Sequence, residues 1–170
     1  FVEWRAGEEE SGMDSYAKPF STKWPDLRIG ILLISSETKK ISSRDAMQQT
    51  VETSRLYRAW PQQVAEDLKQ LKYAIKIKDF DLLGQIAEQN AMSMHATMLS
   101  SWPSINYFQA QTWQAITQVQ ALRAQGLPLY FTQDAGPNIK LLFLLKNTFI
   151  FYINILMLKI FPIFLKLLIF

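Results

Sequence analysis

Residues 127–145 read LPLYFTQDAGPNIKLLFLL and give the clearest indication of the fold. Residues 127–132 and 139–145 are two apolar runs of strand length, rich in aromatic and branched side chains. Between them Gly136 and Pro137 predict a tight turn, because glycine frees the backbone and proline stiffens it. The stretch therefore predicts two strands joined as a hairpin, with the carboxylate of Asp134 at the mouth of the turn.

Apolar stripes at helical spacing predict four helices between this hairpin and the front of the chain. The first begins near Ser42 or Ser43. The second has Pro61 in its first turn, where the missing amide hydrogen is not needed. Asp79 can cap the third helix, and the fourth ends at Gly126.

The first 34 residues predict one further strand. Residues 27–34 are a near-continuous apolar run of strand length. Residues 7–22 are largely polar and predict a loop, and residues 1–4 have a helical spacing, as if cut from a longer helix. A strand, then helices, then strand-turn-strand predicts an α+β domain whose antiparallel sheet carries helices packed on one face.

Composition excludes several kinds of site. The chain has no cysteine and one histidine, His95, so disulfides, thiolate metal sites and histidine clusters are excluded. Four of the 18 Lys and Arg residues lie in residues 140–170, whereas all 15 Asp and Glu precede residue 139. The basic charge belongs to the end of the chain, so no nucleic-acid partner is expected.

Residues 146–170 form an apolar tail that differs in composition from residues 1–145. Its length and apolarity suit a membrane span, although Lys159 and Pro162 near its middle oppose one. The residue types of the tail are those that A- and T-rich codons encode. Translation of an AT-rich gene in a shifted reading frame is therefore the alternative explanation of the tail. A membrane is expected as a partner only if the tail is genuine.

Two places in the sequence can carry chemistry. Asp134 can act as a general base toward a hydroxyl, or it can simply cap the turn. Ser43 and Arg44 at a helix start bring amides, a hydroxyl and a guanidinium together and can bind phosphate, or they can be a solvated helix end. His95 lies among methionines and is interpreted as a packed residue. No glycine-rich phosphate loop is present.

Six motifs occur in an order that resembles the diphosphomevalonate decarboxylases of bacteria, in the GHMP kinase superfamily. Together the motifs cover residues 1 to about 144. They occupy positions 1–4 (FVEW), 24–28 (WPDLR), 42–44 with Met47 (SSR), 51–54 (VETS), 94–97 (MHAT) and 134–138 (DAGPN). Residues 1–145 are thus similar to part of a GHMP kinase C-terminal domain.

The resemblance implies a cytoplasmic enzyme that uses ATP and Mg²⁺ to convert mevalonate diphosphate to isopentenyl diphosphate, ADP, phosphate and CO₂. It implies that Asp134 is the base near the 3-hydroxyl. It also implies that Ser43 and Arg44 contact the substrate diphosphate and that Met47 lines the substrate pocket. A homodimer is compatible with the family.

The resemblance also implies what the chain lacks. The family's phosphate loop and substrate-side lysine belong to an N-terminal half not contained here, so we expect residues 1–170 alone to be inactive. The alternatives are a related mevalonate or phosphomevalonate kinase or decarboxylase, and a non-catalytic membrane-associated module.

Overall fold

The computed structural model describes residues 1–147 except 10, 12 and 21. Its first element is an antiparallel hairpin of β1 (Val2–Arg5) and β2 (Tyr16–Pro19), with Val2 opposite Pro19. The helical interpretation of residues 1–4 is therefore wrong, and the loop predicted over residues 7–22 contains a strand. Both strands are mostly exposed, so no buried apolar face marks them in the sequence.

The main sheet has three antiparallel strands in the order β3 (Leu27–Leu32), β5 (Ile139–Leu144) and β4 (Tyr130–Gln133). In it Leu27 lies opposite Leu144 and Tyr130 opposite Leu142. The predicted hairpin is thus confirmed as β4 and β5. The five residues between them, 134–138, form its turn.

The four predicted helices are all present. They are α1 (Ser43–Thr53), α2 (Trp60–Ile77), α3 (Phe80–Leu99) and α4 (Ala110–Ala124). The predicted cap of α3 is confirmed, since the Asp79 side chain accepts from the Leu82 amide, and α1 begins where predicted, with Ser42 Oγ accepting from the Asp45 amide. Short 3₁₀ turns lie at Leu56–Ala59 and Leu145–Asn147. Gly126 follows α4 with φ +93°, a conformation that favours glycine.

Side chains alternate across the sheet, so each face has its own apolar cluster. Phe131, Leu141 and Phe143 pack with buried residues of α4. Tyr130 and Leu142 point the other way and pack with residues of α2 and α3. The α+β class and the antiparallel sheet are confirmed, and helices contribute to clusters on both faces where one covered face was expected.

The apolar tail lies mostly beyond the described residues. Residues 148–170 are outside them, so both interpretations of the tail stay predictions. Within the described part of the chain, no helix is long and apolar enough to cross a bilayer.

Candidate active site

The turn at residues 134–138 is attached to the segment that follows strand β3 by the side chain of Asn138. Its Oδ1 accepts hydrogen bonds from the Ile34 amide at 2.7 Å and the Ser35 amide at 3.0 Å. Its Nδ2 donates to the Ser35 carbonyl at 3.1 Å. These three bonds join segments more than 100 residues apart. They fix where the turn leaves the sheet.

Two further side chains hold the same turn. Gln133, 2% exposed, donates from Nε2 to the Gly136 carbonyl at 2.8 Å. Thr112, fully buried in the first turn of α4, donates from Oγ1 to the Pro137 carbonyl at 3.1 Å. Gly136 has φ +156°, and a Cβ there would lie 3.4 Å from the Lys39 side chain. The hydrogen bonds of Asn138, Gln133 and Thr112 together tie the turn to the segment after β3, to the end of β4 and to α4.

Asp134 projects its carboxylate from this fixed backbone into solvent. Its side chain is 78% exposed. Nζ of Lys140, on β5, donates to Oδ2 of Asp134. An exposed ion pair of this kind contributes little to stability. Its effect is to orient the carboxylate, which leaves Oδ1 available to another group.

The start of α1 presents the second set of candidate residues. Ser43 and Arg44 are exposed, and Met47, one turn further on, is half-buried. The first amides of a helix have no partner within it and carry the positive end of its dipole. Ser42 caps this end, and its hydroxyl also donates to the Asp45 carboxylate at 2.7 Å. The geometry allows an anion to bind at Ser43 and Arg44.

One apolar cluster connects these two places. We call it the site cluster; its buried members are Ala46, Met98, Ile105, Tyr107 and Ala135, and Ile41, Met47 and Met94 pack against it. Ala135 comes directly after Asp134, whereas Ala46 and Met47 belong to α1. Asp134, the candidate base, and Arg44, the candidate anion-binding residue, thus lie next to members of the same apolar cluster, although they are 90 residues apart in sequence.

Tyr107 fixes the start of α1 against that cluster. Its hydroxyl donates to the Ile41 carbonyl at 3.2 Å, with the Ser42 carbonyl at 3.5 Å. Burial raises the pKa of the Tyr107 hydroxyl, and the nearby Asp45 carboxylate adds to the effect. The hydroxyl therefore stays protonated and keeps this bond over the neutral pH range.

A cavity of about 260 Å³ lies between the segment before α1 and the turn. Lys39, Lys40 and Pro137 are among its lining residues, together with Tyr107 and Phe108. Since Glu37 also lines the cavity, its charged residues are two lysines and one acid, and this net positive charge is compatible with an anionic ligand next to the Asp134 turn.

His95, on α3, is buried, with 1% of its surface exposed. Its ring centroid is 4.7 Å from that of Phe108 and 6.2 Å from that of Tyr107. Burial lowers the pKa of the imidazole, while the backbone of Asp134 and Gln133 and the Asp134 charge act in the opposite direction. The net shift is downward, so the ring is uncharged at neutral pH.

Of the residues that the sequence singled out, Met47 packs against the site cluster. Asp134 directly precedes its member Ala135, and Ser43 and Arg44 lie on α1 before its member Ala46. Sequence reasoning missed Lys140 and the three bonds of Asn138. In the described ranges, no three His, Asp or Glu residues come together to hold a metal ion.

Comparisons with known proteins give one consistent family. A model described as the mevalonate 5-diphosphate decarboxylase C-terminal domain matches residues 29–164. Diphosphomevalonate decarboxylase of Aspergillus fumigatus is 38% identical over 153 residues, which cover 87% of this chain and 38% of the fungal protein.

Solved structures agree with the sequence matches. The complex described as MDDEF with MVAPP, AMPPCP and magnesium superposes with a TM-score of 0.88 at 37% identity, covering 99% of this chain and 50% of that chain. Mevalonate diphosphate decarboxylase from Enterococcus faecalis gives a TM-score of 0.84 at 36% identity, with the same coverage.

The matches also give the share of its relatives' length that this chain covers. The chain spans between about two fifths and one half of the length of the relatives it matches. The family match runs to residue 164 and so extends past residue 145, where the domain was predicted to end.

Proposed function

Because this chain belongs to the mevalonate 5-diphosphate decarboxylase family, we propose that it supplies the base and the diphosphate anchor of an ATP-dependent decarboxylase acting on mevalonate diphosphate. The products are isopentenyl diphosphate, ADP, phosphate and CO₂. The observation that carries the proposal is the site cluster, on which the Asp134 turn and the start of α1 both pack.

The start of α1 binds the diphosphate of the substrate. Arg44 supplies a guanidinium that can bind phosphate oxygens through two hydrogen bonds, and Ser43 supplies a hydroxyl. The helix dipole and the first amides favour an anion at the same point. Met47, half-buried on the next turn of α1, gives the pocket an apolar wall.

Asp134 accepts the proton of the substrate 3-hydroxyl, whose oxygen then becomes the nucleophile for phosphoryl transfer. Its exposed carboxylate lets a substrate hydroxyl reach Oδ1, and the contact with Lys140 keeps Oδ2 in place. Since Asn138, Thr112 and Gln133 fix the backbone of the turn, the carboxylate needs little reorganisation when substrate binds.

The described residues do not form a complete site for ATP and Mg²⁺. The carboxylates of Asp134 and Asp45 both lie at the site, but no group of three or more possible ligands for a metal ion occurs in the described part of the chain. Bound ATP would supply the phosphoryl group. The homodimer and the cytoplasmic location expected from the resemblance stay predictions.

A hybrid protein tests the proposal. The N-terminal part of the Enterococcus faecalis enzyme, up to the residue aligned with Phe1, is fused to residues 1–170. ADP and CO₂ are then measured with ATP and mevalonate diphosphate. We expect the hybrid to release both in equal amounts, and residues 1–170 alone to release neither.

Two results would contradict the proposal. A folded hybrid that binds mevalonate diphosphate but releases neither product would show that this chain does not provide the chemistry. Release of ADP without CO₂ would instead support a related kinase. A non-catalytic membrane module predicts that residues 1–170 partition into lipid vesicles and that the hybrid is inactive.

A further inference from the structure

We propose that residues 107–112, which we call the spacer segment, set the separation between the Asp134 turn and the start of α1. One end of the segment, Tyr107, holds the start of α1, and the other end, Thr112, holds the turn. The inference deepens the proposed function, on which its kinetic consequence rests. Its structural consequence is that releasing either end loosens both places, and this can be measured without any activity.

The Tyr107 end is tied to the residues just before α1. The Tyr107 hydroxyl donates to the Ile41 carbonyl at 3.2 Å, and the residue is a buried member of the site cluster. Ile41 lies two residues before Ser43, where the helix begins. A movement of Tyr107 is therefore transmitted to the helix end that carries Ser43 and Arg44.

The Thr112 end is tied to the Asp134 turn. Thr112 is fully buried, and its Oγ1 donates to the Pro137 carbonyl at 3.1 Å and accepts from the Gln109 amide at 3.1 Å. Pro137 belongs to the same five-residue turn as Asp134. Removing the Thr112 hydroxyl therefore releases the turn from the first turn of α4.

Between its two ends the spacer segment is held by contacts of its own. Phe108 is buried, its amide donates to Asn106 Oδ1 at 2.9 Å, and its ring stacks on that of Trp113 at a centroid distance of 4.4 Å. Residues 110–112 are the first turn of α4. Because packed rings, hydrogen bonds and a helical turn leave so short a segment little freedom to lengthen, the positions of its two ends are coupled.

The spacer segment also borders the space that the substrate would occupy. Residues 106–109 line the cavity of about 260 Å³ together with residues 37–41 and Pro137. The segment thus forms the wall of the cavity between the residues before α1 and the turn. Its length matters because mevalonate diphosphate must place its hydroxyl at Asp134 and its diphosphate at the start of α1 at the same time.

Two single variants and their combination test the coupling in the hybrid protein. Tyr107→Phe removes the hydroxyl at one end, and Thr112→Val replaces the hydroxyl at the other end with a methyl group. We expect each variant to lower kcat/KM for mevalonate diphosphate by about tenfold, because misplacing either group raises the barrier. A spacer fails when either end is released, so the double variant should also lose about tenfold and not about a hundredfold.

One rescue variant and two matched controls complete the kinetic test. Thr112→Ser keeps the hydroxyl and should recover most of kcat/KM. Tyr130→Phe and Thr97→Val remove hydroxyls of the same kinds, which bond to Asp81 and to the Met94 carbonyl, and should retain kcat/KM. An additive loss in the double variant, equal losses in Thr112→Val and Thr112→Ser, or an unchanged kcat/KM in either single variant would each overturn the proposal.

Hydrogen exchange measures the same coupling without turnover. In Tyr107→Phe the peptide covering residues 134–138 should exchange faster, and in Thr112→Val the peptide covering residues 42–47 should do so, although each lies at the other end of the spacer segment. Thr97→Val and Tyr130→Phe should leave both peptides unchanged.

Faster exchange confined to the substituted end overturns the spacer, even in a fully active hybrid. The expected exchange in a hybrid without turnover counts against the proposed function alone. If one of Tyr107→Phe and Thr112→Val fails to fold, the exchange at the far end in the other variant decides.

Discussion

Replacing Asn138 measures how much the hydrogen bonds of the turn stabilise the site. Asn138→Ala removes two accepted bonds, from the amides of Ile34 and Ser35, and one bond donated to the Ser35 carbonyl. A hydrogen bond contributes about 1 kcal/mol net, which gives about 3 kcal/mol as the upper value. Ile34 is 7% exposed, so water cannot readily replace its lost partner, whereas half-exposed Ser35 can be solvated.

We therefore expect Asn138→Ala to lower the free energy of unfolding of the hybrid by about 2 to 3 kcal/mol. Asn138→Asp is the matched variant, because its carboxylate still accepts from both amides, now through stronger charge-assisted bonds. These bonds offset part of the loss of the donated bond and of the repulsion between the second carboxylate oxygen and the Ser35 carbonyl. Asn138→Asp should therefore cost about 1 kcal/mol. Urea unfolding measures both variants. If the slope of the free energy of unfolding against urea concentration is unchanged, a change in the midpoint concentration reports a change in stability.

Activity should follow the same order. Asn138→Ala lets the turn move away from β3, so kcat should fall more than in Asn138→Asp. A loss below about 0.5 kcal/mol in Asn138→Ala, which is the range of ordinary surface changes, would show that these bonds do not hold the turn. Equal losses in the two variants would lead to the same conclusion, since the accepted bonds would then contribute nothing.

Three further predictions concern other parts of the domain. Arg44→Ala should raise KM for mevalonate diphosphate at least about tenfold, and Arg44→Lys should recover only part of it, because lysine cannot bind phosphate through two parallel bonds; steady-state kinetics of the hybrid checks this. Glu88 accepts from Arg123 at 2.6 and 3.0 Å and from the Phe131 amide at 3.2 Å, so Glu88→Ala should cost about 2 to 3 kcal/mol in urea unfolding and Glu88→Gln less. The pKa of His95 is lowered in the folded state from its ordinary 6.5, so the unfolded state binds a proton first as the pH falls. The free energy of unfolding should therefore fall as the pH drops below about 6.5 and level off below the pKa of the folded state. His95→Phe should remove this pH dependence.

The parts of the fold that sequence predicted are those with local signals. The Asp79 cap acts within three residues, and the start of α1 near Ser42 also depends on neighbouring residues, so local sequence predicts both. The hairpin of β4 and β5 was also readable, because its apolar runs and its turn residues are adjacent. The strand β1 was mistaken for a helix, since Trp4 is exposed and its pairing with Ala17 leaves no local pattern.

In the candidate site, too, local sequence signals predict some features and contacts distant in sequence determine the others. Asp134 and Arg44 could be named as candidates from their residue types and local turn or helix start. What each of them packs on could not, because the site cluster joins residues 46 and 135. The polar partners of Asn138 depend on contacts more than 100 residues distant in sequence. No spacing rule predicts such contacts.

The most direct test of the central claim is the turnover of Asp134→Asn in the hybrid protein. Asparagine keeps the size of the side chain but cannot accept the proton of the 3-hydroxyl. We predict that kcat for CO₂ release falls by about two or more orders of magnitude, while the Kd for mevalonate diphosphate changes by less than about threefold. Turnover within about threefold of the unsubstituted hybrid would contradict the assignment of Asp134 as the base.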